Sequence, residues 1–196
     1  MAKRNPQLDA LADFKRRLCA GFGGEKTRRS NPTEARPFSP KLPVHVVLKS
    51  SLARGERSLF LHGRAIDRIL KEEVGRQGGK LHDGANSGNH LHLLVQFRRA
   101  EALRSFLRAV SGRIARIALG AKKGTRVLKD GQRFWDARPW SRLVSWGRDF
   151  ANVRRYALVN AHGRLGLSRA HSREMIKELE RMGVACFAGG APPLPA

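Results

Sequence analysis

The run His90-Leu91-His92-Leu93-Leu94-Val95-Gln96-Phe97 is the strongest strand signal in the chain. Side chains alternate along a strand, so Leu91, Leu93 and Val95 share one face while His90 and His92 share the other. A face that apolar must be covered, which places the run inside a sheet with helices packed against one side. The opposite side then carries two imidazoles held close together on a stiff support, half of a metal site. Ser87-Gly88-Asn89 supply turn residues just before it.

The surrounding pattern extends this frame. Residues 44–48, entered by Pro43, are β-branched and apolar and read as the first strand. Ala65, Ile66, Ile69, Leu70 and Val74 follow at helical spacing, with Gly78-Gly79 as the stop. Residues 80–86 read as a second strand, weakened by Asp83, Gly84 and Asn86. After the histidine strand, Leu103, Phe106, Leu107, Val110, Ile114 and Ile117 define an amphipathic helix whose other face carries Arg104, Arg108, Arg113 and Arg116. A glycine- and lysine-rich loop spans 120–133, and residues 134–144 read as a fourth, aromatic strand. Asp149 is the expected cap of a helix running to about residue 161, and residues 168–182 form a charged closing helix. The order β-α-β-β-α-β makes this an α+β chain with a ferredoxin-like antiparallel sheet, the first and third strands central, followed by further helices.

Lysine and arginine number 39 against 16 acidic residues, a formal charge of +23. The excess runs from Lys3 to Arg181, so it is a property of the whole chain and favours a polyanionic partner, above all nucleic acid. An arginine-rich protein of ribosomal type is the plainer reading of the same charge. No long apolar run and no signal-peptide pattern is present, which argues against a membrane and for a cytoplasmic, nucleoid-associated location. Cys19 and Cys186 suggest neither a disulfide framework nor a cysteine zinc site. Residues 1–40 read as a basic flexible arm, 41–166 as the folded domain, 167–182 as its closing helix and 183–196 as a disordered tail.

Tyr156 is the sole tyrosine, and Asn160 lies four residues on, on the same face of the expected helix. A phenol can attack a phosphodiester and conserve its bond energy in a phosphotyrosine link. A free phenol titrates near ~10, so it needs help at neutral pH, which a divalent cation on the phosphate supplies. A helix tyrosine that merely packs its ring, and a pair of solvent-facing strand histidines, are the alternatives.

Asn89-His90-Leu91-His92-Leu93-Leu94-Val95 resembles the HUH motif (histidine, hydrophobic, histidine) of single-tyrosine transposases, and Arg155-Tyr156-Ala157-Leu158-Val159-Asn160-Ala161 resembles their nucleophile helix. The nearest resemblance is to the REP-associated tyrosine transposases, whose first strand Pro43-Val44-His45-Val46-Val47-Leu48 also resembles; it covers about residues 42 to 165. The resemblance implies cleavage and rejoining of single-stranded or hairpin DNA through a 5′-phosphotyrosine intermediate, in transposition or a domesticated derivative. By position it makes Tyr156 the nucleophile and His90 and His92 ligands of Mg²⁺ or Mn²⁺. Asn160 falls at a third ligand position, with His162 nearby as a substitute. In some relatives a partner subunit supplies the tyrosine, so both a monomer and a homodimer are compatible with it. The second strand is unusually polar for the family, and Ala161 stands where proline is common.

Single strands are held by basic grooves and stacking surfaces. The candidates are Arg98, Arg99, Arg104 and Arg108 after the histidine strand, Lys122, Lys123, Arg126, Lys129 and Arg133 in the loop, and Trp135 and Trp140 as stacking platforms. For each tryptophan a place in the core is the alternative. A non-catalytic nucleic-acid-binding protein on the same fold keeps the charge without needing the histidines and tyrosine to meet. A two-histidine RNA phosphoesterase needs histidine followed two places on by threonine or serine, twice, which neither His45 nor His90 provides.

Overall fold

The computed structural model describes residues 21–24, 35–122, 127–129, 131–162 and 167–182. Among them the order is β1 (Val44–Lys49), a 3-10 turn (Gly55–Arg57), α1 (Gly63–Arg76), β2 (Lys80–Asn86), β3 (His90–Gln96), α2 (Ala100–Ala118), β4 (Trp140–Leu143), α3 (Arg148–His162) and α4 (Arg169–Arg181). The strands form one antiparallel sheet in the order β2-β3-β1-β4, so β1 and β3 are its central pair. This is the expected α+β, ferredoxin-like arrangement.

Alternation decides what each face carries. Val44, Val46 and Leu48 of β1 and Leu91, Leu93 and Val95 of β3 point to one side, where α1 contributes Ile66, Ile69, Leu70 and Val74 and α2 contributes Leu103, Phe106, Leu107, Val110 and Ile114. All are buried, and this single apolar layer is the main source of stability. Where α1 and α2 meet, Arg113 donates to Oε1 of the buried Glu73 at 2.7 Å and to Oε2 of Glu72 at 2.6 Å. The other face carries His45, Val47 and Lys49 from β1 and His90, His92 and Leu94 from β3. There α3 packs, with Leu94, Val144 and Val153 forming a second small cluster against Phe150.

Two expectations need correction. The fourth strand was expected over 134–144, but β4 spans only Trp140–Leu143. Residues 134–138 instead cross the end of β1: Phe134 enters the core, Asp136 N donates to Lys49 O at 3.0 Å, and the Asp136 carboxylate accepts from Ser51 N and Oγ at 2.8 Å. Pro139, which has no N–H to donate, separates this stretch from the ladder. Asp149, expected as a helix cap, lies inside α3 and reaches back to Ser145 N at 3.0 Å.

Part of the expected arm is also ordered on the sheet. Phe22 pairs with Ser141 of β4 through both backbone hydrogen bonds, 2.7 and 2.8 Å, and Phe38 packs on the core. Residues 1–20, 183–196, Lys123 and Arg126 lie outside the described residues. Among the described residues no helix is long and apolar enough to cross a membrane.

Candidate active site

The start of β3 is fixed by a tight turn. Gly88 adopts φ +81°, and a Cβ there would meet the Phe60 ring at 2.7 Å, so glycine serves both the conformation and the close approach. Its N–H is taken by Asn86 Oδ1 at 3.0 Å and its carbonyl accepts from Leu59 N at 2.8 Å. Asn89 O accepts from Ser50 N at 2.8 Å, which ties the turn to the end of β1.

On the strand that follows, the His90 and His92 rings lie 4.9 Å apart between centroids, nearly perpendicular. His90 Nδ1 donates to Asn89 Oδ1 at 2.6 Å, which leaves the lone pair on Nε2. His92 Nδ1 lies 3.2 Å from Nε2 of His45 on β1. His92 Nε2 is buried and has no hydrogen-bond partner among the described residues. Burial holds all three rings below the ordinary imidazole range. For His45 the Arg142 charge adds to burial, giving about 4; for His92 the neighbouring His45 and His90 add, giving about 3. Neutral imidazole is the form that ligates a metal.

Tyr156 reaches this pair from α3. Its ring stands edge-on to His92, centroids 5.4 Å apart and planes at 89°, and the residue is 54% exposed. Buried Val153 and Ala157 hold the helix on the sheet, and two ion pairs fix its rotation. Arg154 Nε donates to the buried Asp83 Oδ2 at 2.9 Å, joining α3 to β2. Arg142 of β4 grips both oxygens of Asp149 at 3.0 and 2.8 Å, and this holds the Asp149 carboxyl below its usual range. The polar second strand has a use here, since Asp83 is the anchor of the tyrosine helix.

A groove of about 1060 Å³ opens beside these residues. Its floor is the β1–β3 face with His45, Lys49, His90 and His92; one wall is α3 with Asn152 and Tyr156, and the other is Gly21–Gly24 with Asp136, Arg138 and Trp140. Trp140 stands edge-on to His45 at 5.6 Å. A Cβ on Gly21 would fall 2.3 Å from the Trp140 indole nitrogen, so the glycine backbone lies flat against the ring. Arg36 stacks over Phe22 at 4.9 Å and bonds to Ser141 Oγ and Pro139 O, locking this wall to β4.

The candidate site residues separate into groups. His90, His92, Tyr156 and Trp140 come together in the groove. Asn160 lies one turn beyond Tyr156, outside the groove lining; its carbonyl is 3.4 Å from Ser87 Oγ, and its Nδ2, like Nδ1 of His162, is buried with no partner among the described residues. Among the described residues no three His, Cys, Asp or Glu side chains converge as a metal site. Arg98 and Arg99 are exposed at the far end of β3, and Arg104 and Arg108 lie on α2, behind the sheet from the histidines. Lys122, Lys129 and Arg133 are exposed on the loop after α2. Trp135 packs against the core and donates to Ser111 O at 2.9 Å, so its ring belongs to the interior. Lys49, Arg138 and Arg142 line the groove instead, and the sequence reading missed them. The signal was present for His45 and Lys49, which alternate on a strand already expected to lie beside β3.

A scan of protein-family models finds no match to the chain, and a search of curated proteins finds none either. Among solved structures the chain is similar to a REP-associated tyrosine transposase bound to a REP hairpin, with 11% identity over 84% of this chain and 100% of that one. The TM-score is 0.51, and the likeness is one of fold.

Proposed function

We propose that this protein is a metal-dependent enzyme that cuts and rejoins single-stranded DNA through a tyrosine–phosphate bond, in DNA transposition or a domesticated derivative of it. The observation that carries the reading is the meeting of Tyr156 with His90 and His92 at the wall and floor of one groove. The fold neighbour's bound hairpin supports DNA hairpins as the substrate class.

In this reading the Tyr156 hydroxyl attacks the scissile phosphorus. A new O–P bond joins tyrosine to the 5′ phosphate, the bond to the 3′ oxygen breaks, the phenol gives up its proton and the departing 3′ oxygen gains one. Attack by a second 3′ hydroxyl reverses the exchange and releases the tyrosine, so no external energy source is required. The residues present fit a divalent ion: His90 directs its donor nitrogen to Asn89, and His92 has a buried nitrogen with no partner among the described residues. His90 and His92 would hold Mg²⁺ or Mn²⁺, with Asn160 as third ligand and His162 as the substitute. When bound, the ion supplies Lewis-acid polarisation of a phosphoryl oxygen. Lys49 and Arg138 place positive charge along the groove for the phosphates. In this reading a strand and a helix of the same chain supply the histidines and the tyrosine.

The test is incubation of the chain with single-stranded hairpin DNA and Mn²⁺, followed by a denaturing gel. A covalent protein–DNA band that disappears in Tyr156→Phe supports the reading. Hairpin binding without any covalent band, across a broad hairpin set and several metals, replaces it with a non-catalytic DNA-binding function.

A further inference from the structure

We infer that His45 is a positioning residue for the metal ligand His92: it accepts the Nδ1 proton of His92 and leaves Nε2 of that ring bare for the ion. The inference rests on the metal reading above and extends it to a residue outside the two-histidine motif.

The β1–β3 register puts His45 opposite Leu94 and His92 opposite Val47, so the two histidines are diagonal neighbours on the same face. Their facing nitrogens are 3.2 Å apart with ring planes at 20°, both residues being buried. Two neutral imidazoles share one proton in such a contact, which allows only two arrangements. If His45 donates, His92 must carry its own proton on Nε2. That atom is buried and has no acceptor among the described residues, so the arrangement strands a donor. If His92 donates from Nδ1, its Nε2 carries a lone pair instead, which a cation satisfies.

His90 follows the same rule by a different partner, since its Nδ1 is committed to Asn89. Both rings therefore use Nδ1 to fix their orientation and present Nε2. Ligating histidines generally hand their other nitrogen's proton to an acceptor that sets tautomer and ring angle. The acceptor here is a second imidazole, itself held edge-on by Trp140.

The experiment measures Mn²⁺ affinity of the full chain by electron paramagnetic resonance, without DNA, in wild type, His45→Leu, His45→Gln and the His90→Ala, His92→Ala double variant. Loss of the acceptor in His45→Leu is expected to weaken Mn²⁺ binding by roughly 10–100-fold. His45→Gln, whose Oε1 stands where Nε2 stood, should restore most of the affinity. Unchanged binding in His45→Leu overturns the inference, and so does an equal loss in both His45 variants, which would make the role one of packing. Nitrogen-15 NMR of the metal-free wild type needs no variant to fold: His92 is expected as the Nδ1–H tautomer, and the Nε2–H tautomer overturns the inference. Undiminished Mn²⁺ binding in the double variant removes the metal reading beneath it, a different failure from that of His45 alone.

Discussion

Lowering the pH from 7 to 5 should destabilise this protein through two rings, His45 and His92. Unfolded histidine titrates near ~6.5, whereas burial holds His45 at about 4 and His92 at about 3 in the folded state. At pH 5 the unfolded chain has therefore bound both protons and the folded chain neither. The unfolded state binds more protons, so stability rises with pH: it is fully present above ~6.5 and is lost as pH falls towards the folded values. The loss by pH 5 is about 2 kcal/mol for each ring and about 4 kcal/mol for the two. With a urea dependence of ~2 kcal/mol per molar, the unfolding midpoint moves down by about 2 M. Ordinary carboxylates titrate near ~4, so this window isolates histidine chemistry. The assay is urea unfolding followed by far-ultraviolet circular dichroism at pH 7 and pH 5, with chelator present and salt held constant. The His45→Gln, His92→Gln double variant controls for repulsion within so basic a chain. Equal wild-type midpoints at the two pH values, or an undiminished shift in the double variant, would refute the reasoning.

Further outcomes follow from the same geometry. Asp83→Ala leaves Arg154 without its carboxylate under α3 and should cost about 3 kcal/mol in thermal or urea unfolding, the lower end of the range because Arg154 is partly exposed. Gly21→Val drives a side chain into the Trp140 indole, so the wall of the groove should lift; a change in tryptophan fluorescence together with weaker hairpin binding in a filter assay checks this. Chelation of divalent ions should abolish the covalent DNA adduct while hairpin retention in a native gel persists, since Lys49 and Arg138 supply groove charge without the ion.

The sheet was legible because its signals are local. Leu91, Leu93 and Val95 alternate, Ile66 to Val74 repeat at helical spacing, and residues 80–86 were bounded as observed despite their polarity. The meeting of Tyr156 with His92 was expected from a resemblance of two short motifs, not from periodicity. What stayed hidden depends on tertiary contact. Trp135 and Trp140 look alike in sequence, yet one fills the core through Ser111 and the other lines the groove. Arg104 and Arg108 are as basic as Arg138 and Arg142, but which side of the sheet a cation faces is set by where its element packs. The role of Gly21–Gly24 was illegible for the same reason: its partner, Ser141, lies far along the chain.

The pairing of Phe22 with Ser141 has a consequence for how the molecule coexists with its own copies. An open sheet ends in two strands with unused backbone groups, each a template on which another chain can add. At one end residues 21–24 already occupy β4, and the positive-φ glycines Gly23 and Gly24 turn that segment away from regular extension. At the other end β2 is broken by a register shift between Leu81 and Asp83 and carries Lys80, Asp83 and Gly84. The features that make β2 a poor strand by composition also make it a poor seed for polymerisation. Both margins of the sheet are thus blunted, one by added backbone and the other by charge and a broken register.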